Sequence, residues 1–129
     1  MNPYASAQQA YTASSVLTAP PEQLVVMLYD GAIRFLNVAA TAMRGGDFVA
    51  ARDRLRKAEA IIDELNYSLD MSQGEVATRL RSIYIFSKSH LLQGSLQRNP
   101  EAVDTVVRLL SELREAWERI SRQPAQSAA

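Results

Sequence analysis

The chain has 129 residues, 14 Lys and Arg against 14 Asp and Glu, 47% apolar residues and no Cys. Such a length suits a single domain whose core forms without disulfides or a structural metal. A formal charge of zero gives no net field to collect nucleic acid or an anionic membrane, and a chain without Cys has no thiolate nucleophile or Cys-ligated zinc.

Residues 1–20 are rich in Ala, Ser, Gln and Thr, with Tyr4, Tyr11, Val16 and Leu17 as their larger apolar side chains. This composition cannot pack a core by itself and predicts a mobile N-terminal arm. Met1-Asn2-Pro3-Tyr4 lacks the basic start and apolar run of a secretory signal. No later stretch reads as the roughly 18 apolar residues of a membrane span, so the expected location is the cytosol.

Pro21 suits the first position of a helix, and Glu22 complements its dipole. Leu24, Leu28, Gly31, Phe35, Ala39 and Ala42 then recur at steps of three and four, predicting one buried stripe that ends at Gly45-Gly46. Asp47 is the expected cap of a second helix. Its stripe is Ala51, Leu55, Ala58, Ile62, Leu65 and Leu69, opposite a charged face with Arg52, Arg56, Glu59 and Asp63 that reads as solvated. A polar break over residues 70–74 leads to a third helix with Val76, Leu80, Ile83 or Tyr84, Ser87, Leu91 and Gly94, the least apolar stripe of the set. Asn99-Pro100-Glu101 combines a cap, a first-position proline and an acid. It starts a fourth helix buried through Val103, Val106, Leu110, Leu113, Trp117 and Ile120. No run has a strand period. Short connections between amphipathic helices predict an all-α, antiparallel up-down-up-down four-helix bundle over residues 21–121, with the arm at 1–20 and a disordered tail at 122–129.

Enzyme chemistry has little to work with. No catalytic residue, cofactor-binding residue or metal ligand is assigned, since the lone histidine, His90, is not part of HExxH or of a paired ExxH site, and no phosphate-binding glycine loop is present. The string His90-Leu91-Leu92-Gln93-Gly94-Ser95 is similar to the phosphoacceptor helix of histidine phosphotransfer bundles, which makes a phosphotransfer module using His90 the alternative function. Gln93 is neutral where a lysine would hold the phosphoryl group, however, and Lys88, two residues away, lies on another face.

Apolar excess is the stronger signal. Beyond the stripes stand Val25, Met27, Tyr29, Ile33, Leu36, Phe48, Ile61, Tyr67, Ile85, Phe86, Leu92, Val107 and Leu109. They either widen the buried stripes or line grooves that await an amphipathic partner, with the arm as an intramolecular competitor.

Several ordered strings carry a family resemblance. They are Thr18-Ala-Pro-Pro-Glu-Gln-Leu24 with Met27-Leu-Tyr-Asp-Gly-Ala-Ile-Arg-Phe-Leu36, Gly46-Asp47 with Lys57 to Leu65 and Ser68-Leu69-Asp70, Gly74-Glu75 with Tyr84 and Phe86, and Leu109-Leu110 with Ala116-Trp117. From about Tyr11 to Ile120 the chain resembles the FliS family of flagellar export chaperones. It departs from the pattern at Pro20, Ile85 and Gly94-Ser95.

The resemblance implies a cytoplasmic binding protein rather than an enzyme. Its partners would be the disordered C-terminal segment of flagellin and, as a complex with that client, a component of the export gate, with no nucleic acid and no insertion into the membrane. Premature polymerisation would be prevented and the client kept competent for flagellar type III secretion. The residues expected to contact the client are Tyr29, Ile33, Leu36, Ile61, Leu65, Tyr84 and Leu92, with Tyr11 and Val16 anchoring the arm.

Overall fold

The computed structural model describes residues 21–122, which form helices α1 (Pro21–Arg44), α2 (Phe48–Tyr67), α3 (Glu75–Gln97) and α4 (Pro100–Arg122). A short 3-10 turn, Met71–Gln73, joins α2 to α3. The expectations placed on residues 1–20 and 123–129, including the arm anchors Tyr11 and Val16, lie outside the described residues.

Each connection is built from the residues that mark it in the sequence. After α1, Gly46 takes a left-handed φ of 80°. Its N–H and that of Asp47 donate back to Met43 and Ala42 at 3.0 and 2.9 Å, so two otherwise orphaned carbonyls are satisfied. Asp47 turns its carboxylate to the Ala50 N–H at 3.1 Å and caps α2. Asp70 accepts from the Ser72 N–H and hydroxyl at 3.1 and 2.6 Å; the hydroxyl bond first, then the other bonds, holds its carboxyl below the ordinary carboxylate value. At the last corner Asn99 Oδ1 accepts from the Glu101 N–H at 3.1 Å, with Pro100 opening α4. Arg98 ends α3 at φ 53°, a left-handed position usually given to glycine.

The helices form a four-membered ring in which α1 lies close against α2 and α4, while α3 closes the far side at greater distance. Antiparallel order is fixed by contacts along their lengths. Arg44 at the end of α1 meets Asp104 and Glu101 at the start of α4, at 2.6 and 3.2 Å. Asp30 meets Arg114 at 2.7 Å, and Arg114 also pairs with Glu118. Lys88 on α3 reaches Asp63 on α2 at 2.6 Å. At Gly31 α2 passes close to α1, with Ile61 Cδ1 3.2 Å from where a Cβ would stand.

The buried stripe of α2 is the expected one: Ala51, Leu55, Ala58, Ile62 and Leu65 within the helix, with Leu69 just beyond it. Helix α4 buries Val103, Val106, Leu110 and Trp117 as expected, with Leu113 partly covered. In α1 the stripe is turned by one residue from the expected Leu24, Leu28, Gly31, Phe35. The core takes Val25, Tyr29, Ala32, Leu36, Ala39, Ala40 and Met43. Helix α1 is apolar on adjoining faces and packs between two neighbours, so the centre of its buried arc falls between them. The same composition corrects a second expectation: by length and a mean hydropathy of 1.4, Glu22–Arg44 does qualify as a possible membrane span. Its Tyr29, Ala32 and Leu36 are instead fully buried against the other helices.

Candidate functional site

Helix α3 holds the fold with a modest inner face: Ala77, Leu80, Tyr84, Ser87, Leu91 and Gly94. Two of these are polar or absent side chains, so the face contributes less apolar area than those of α2 or α4. Across the bundle, the Tyr84 and Tyr29 hydroxyls hydrogen-bond at 2.5 Å in the core. Burial pushes the Tyr29 hydroxyl well above its ordinary value, against the opposing effect of bonds to Tyr84 and Trp117. The Ser87 hydroxyl and the Asn66 side-chain oxygen are buried without a hydrogen-bond partner.

The outer face of α3 is the unusual one. Ile85 (53% exposed), Leu92 (58%) and Leu96 (76%) follow at steps of seven and four and so share one side of the helix. Three large aliphatic side chains left in water on one helix face mark a surface that a partner would cover. Phe86 stacks on His90 with ring centroids 5.1 Å apart on a separate side.

Beside Leu92 and Leu96 runs a groove of about 400 Å³ between α2 and α3. Leu55 and Leu91 form its floor, Leu92, Leu96 and Ser95 its α3 wall, and Arg52, Arg56 and Glu59 its α2 wall, with Arg98 at one end. The Arg98 guanidinium lies 4.4 Å from the centre of the Phe48 ring, which fixes the end of α3 over the start of α2. Burial raises the Glu59 carboxyl above its ordinary value; Lys88 opposes this and Asp63 adds to it. The arrangement can hold an elongated, amphipathic segment with its apolar side toward α3 and its polar side toward α2.

The seven residues expected to meet a client fall into three groups. Leu92 lines this groove. Ile33 and Ile61 are partly buried and packed against the core. Tyr29, Leu36, Leu65 and Tyr84 are fully buried within the core rather than lining an open groove, because each occupies the middle of its helix's inward arc. Leu96 was not among the expected contacts; its spacing from Ile85 and Leu92 is the signal for it in the sequence. Arg52 and Arg56 were read as a solvated face; they are solvated, yet they stand at the groove's edge. A phosphotransfer site at His90 is not assembled: His90 is half-covered beside Phe86, and Lys88 is committed to Asp63. Among the described residues no group of three His, Asp or Glu could hold a metal ion.

Comparison with known proteins gives one consistent result. The family model described as flagellar protein FliS matches residues 4–124. The flagellar secretion chaperone FliS of Salmonella typhimurium is 41% identical over 115 residues, covering 88% of this chain and 85% of that protein. Those of Bacillus subtilis and Vibrio cholerae are 31% and 33% identical, covering 92% and 83% of this chain and 85% and 79% of theirs.

Proposed function

The chain belongs to the FliS family of flagellar secretion chaperones, which are not enzymes, and from that premise we propose that it binds the C-terminal segment of flagellin in the cytoplasm. The observation that carries this reading is the exposed Ile85, Leu92 and Leu96 side of α3 beside the α2–α3 groove. A segment that folds there as an amphipathic helix would bury this surface, and flagellin so held could not use the same residues to polymerise. Ordering the segment offsets part of the gain from burial, which leaves an affinity that hand-over to the export gate can reverse.

In this reading Leu92 touches the client directly, while Ile33 and Ile61, the latter packed against Gly31 of α1, lie outside the groove's lining and meet only a client segment that extends around the bundle. Tyr29, Leu36, Leu65 and Tyr84 serve from within by holding the helices in register. Tyr11 and Val16 anchor the arm as a tethered competitor, whose effective concentration is on the order of millimolar. Mixing the purified chain with the flagellin C-terminal segment of the same organism tests the proposal. A gain of helical circular dichroism beyond the sum of the parts is expected, with a strongly negative heat-capacity change by calorimetry. Removing residues 1–17 is expected to tighten binding. A segment that stays unfolded and releases no heat at any temperature overturns the assignment of this client.

A further inference from the structure

The α2–α3 groove is charged on one side in a way that the apolar reading of the client does not use. Three arginines, Arg52, Arg56 and Arg98, border it against one glutamate, Glu59, in a chain with no net charge. Arg52 and Arg56 are one turn apart on α2, so their guanidinium groups can stand side by side along the same wall. Among the described residues Arg52 has no ion pair. Arg56 has only a 3.4 Å contact to Asp53 of its own helix, in which its side chain remains 74% exposed. Arg98 faces the Phe48 ring. Asp63, one turn beyond Glu59 on α2, is already bound to Lys88 at 2.6 Å. Arg52 and Arg98 thus have no ion pair among the described residues, and with Glu59 as the one acidic residue of the lining the trough keeps an excess of positive charge.

The two terminal segments of the sequence carry no acidic side chain to offer. Residues 1–20 contain neither Asp nor Glu, and neither do residues 123–129. Apolar side chains from those segments could cover Leu92 and Leu96, but their side chains could not answer the arginines.

Resting on the reading of the chain as a flagellin chaperone, we propose that the α2–α3 groove selects an acidic amphipathic segment of the client, whose carboxylates pair with Arg52 and Arg56 while its apolar side covers Leu92 and Leu96. Charge then separates client from arm: both can satisfy the apolar surface, and the client alone satisfies the arginines. Because the pairs lie at a rim open to water, they set partner choice and on-rate more than total affinity, and salt screens them.

The test is a calorimetric titration of the full chain, the Arg52→Gln/Arg56→Gln variant and the Leu92→Ser/Leu96→Ser variant. Two peptides serve as probes: the flagellin C-terminal segment of the same organism, and its form with every Asp and Glu changed to Asn and Gln. The double arginine variant should bind the native peptide about tenfold more weakly at low salt, with the difference lost near 0.5 M salt, as for solvent-exposed charge pairs. It should bind the amide peptide as the unaltered chain does. Arg108→Gln, on the exposed face of α4, should change nothing. Equal loss on both peptides, or no loss on either while Leu92→Ser/Leu96→Ser abolishes binding, overturns the acidic selection and leaves the chaperone reading standing. No binding of the native peptide by the unaltered chain overturns both. Dimers of the free chain that dissociate on Leu92→Ser/Leu96→Ser would put a second copy in the groove and equally overturn the proposal.

Discussion

At the Tyr29–Tyr84 contact two hydroxyls share a buried hydrogen bond, and its pH behaviour follows from the side on which the proton is held. In the folded chain burial keeps Tyr29 protonated far above its ordinary value of 10.0, whereas the unfolded chain gives the proton up from about pH 10. Above that pH the unfolded state binds fewer protons, so stability is fully present below pH 10 and is lost as pH rises through and beyond it. Denaturant titrations at pH 10 and 11 should show an extra fall of about 1 kcal/mol that disappears in Tyr29→Phe. That variant should itself be less stable by about 1 kcal/mol at neutral pH. Two glycines give a second residue-level comparison. A Cβ at Gly94 would stand 2.8 Å from Ala102 Cβ and 3.3 Å from the Asn99 carbonyl, while at Gly31 it meets only the flexible end of Ile61. Gly94→Ala should therefore destabilise by about 1–3 kcal/mol, as overpacking does. Gly31→Ala should be neutral or better, since alanine gains up to about 1 kcal/mol of helix propensity. Thermal or denaturant melts of both variants decide this.

Among the elements, α3 is the one with divided loyalties. Its inward face includes Ser87, whose hydroxyl is buried without a partner, and Gly94, while Ile85, Leu92 and Leu96 look outward. Ser87→Ala removes an unsatisfied buried hydroxyl and should raise stability by about 1 kcal/mol, or roughly 3–5 °C in melting temperature for a chain of this size. A lower melting temperature for Ser87→Ala would mean that the hydroxyl has a partner in solution. The helices differ in how far the sequence reveals them. Helix α2 was legible residue by residue because its charges stand opposite its apolar stripe. In α1 the apolar residues occupy adjoining faces, so period alone allows two neighbouring stripes, and the choice of Tyr29 and Leu36 over Leu28 and Phe35 is made by α2 and α4 together. The caps at Asp47 and Asn99 and the stop at Gly46 were legible because side-chain chemistry, not tertiary packing, decides them.

For the whole molecule, the order of helices around the ring follows from short antiparallel connections, but the site does not follow from any one helix. The groove exists because the end of α3 lies over the start of α2, with Arg98 on Phe48 and Lys88 on Asp63. Leu92 could be named from the sequence as surplus apolar surface. That Arg52 and Arg56 border the same trough depends on which side of α3 turns toward α2, a fact spread over residues about 40 positions apart. The buried tyrosines and Leu65 were read as client contacts for the converse reason, since an apolar side chain at helical spacing has the same signature inside a bundle and on its surface.

The location of the client surface is the central claim, and backbone hydrogen exchange of the full chain with and without the flagellin C-terminal segment tests it most directly. Binding is predicted to slow exchange along the second half of α3, from about Ile83 to Arg98, and along the facing turns of α2 from about Arg52 to Asn66, where a covering segment suppresses local opening. Protection confined to the outer faces of α1 and α4, with α3 exchanging as in the free chain, would contradict it.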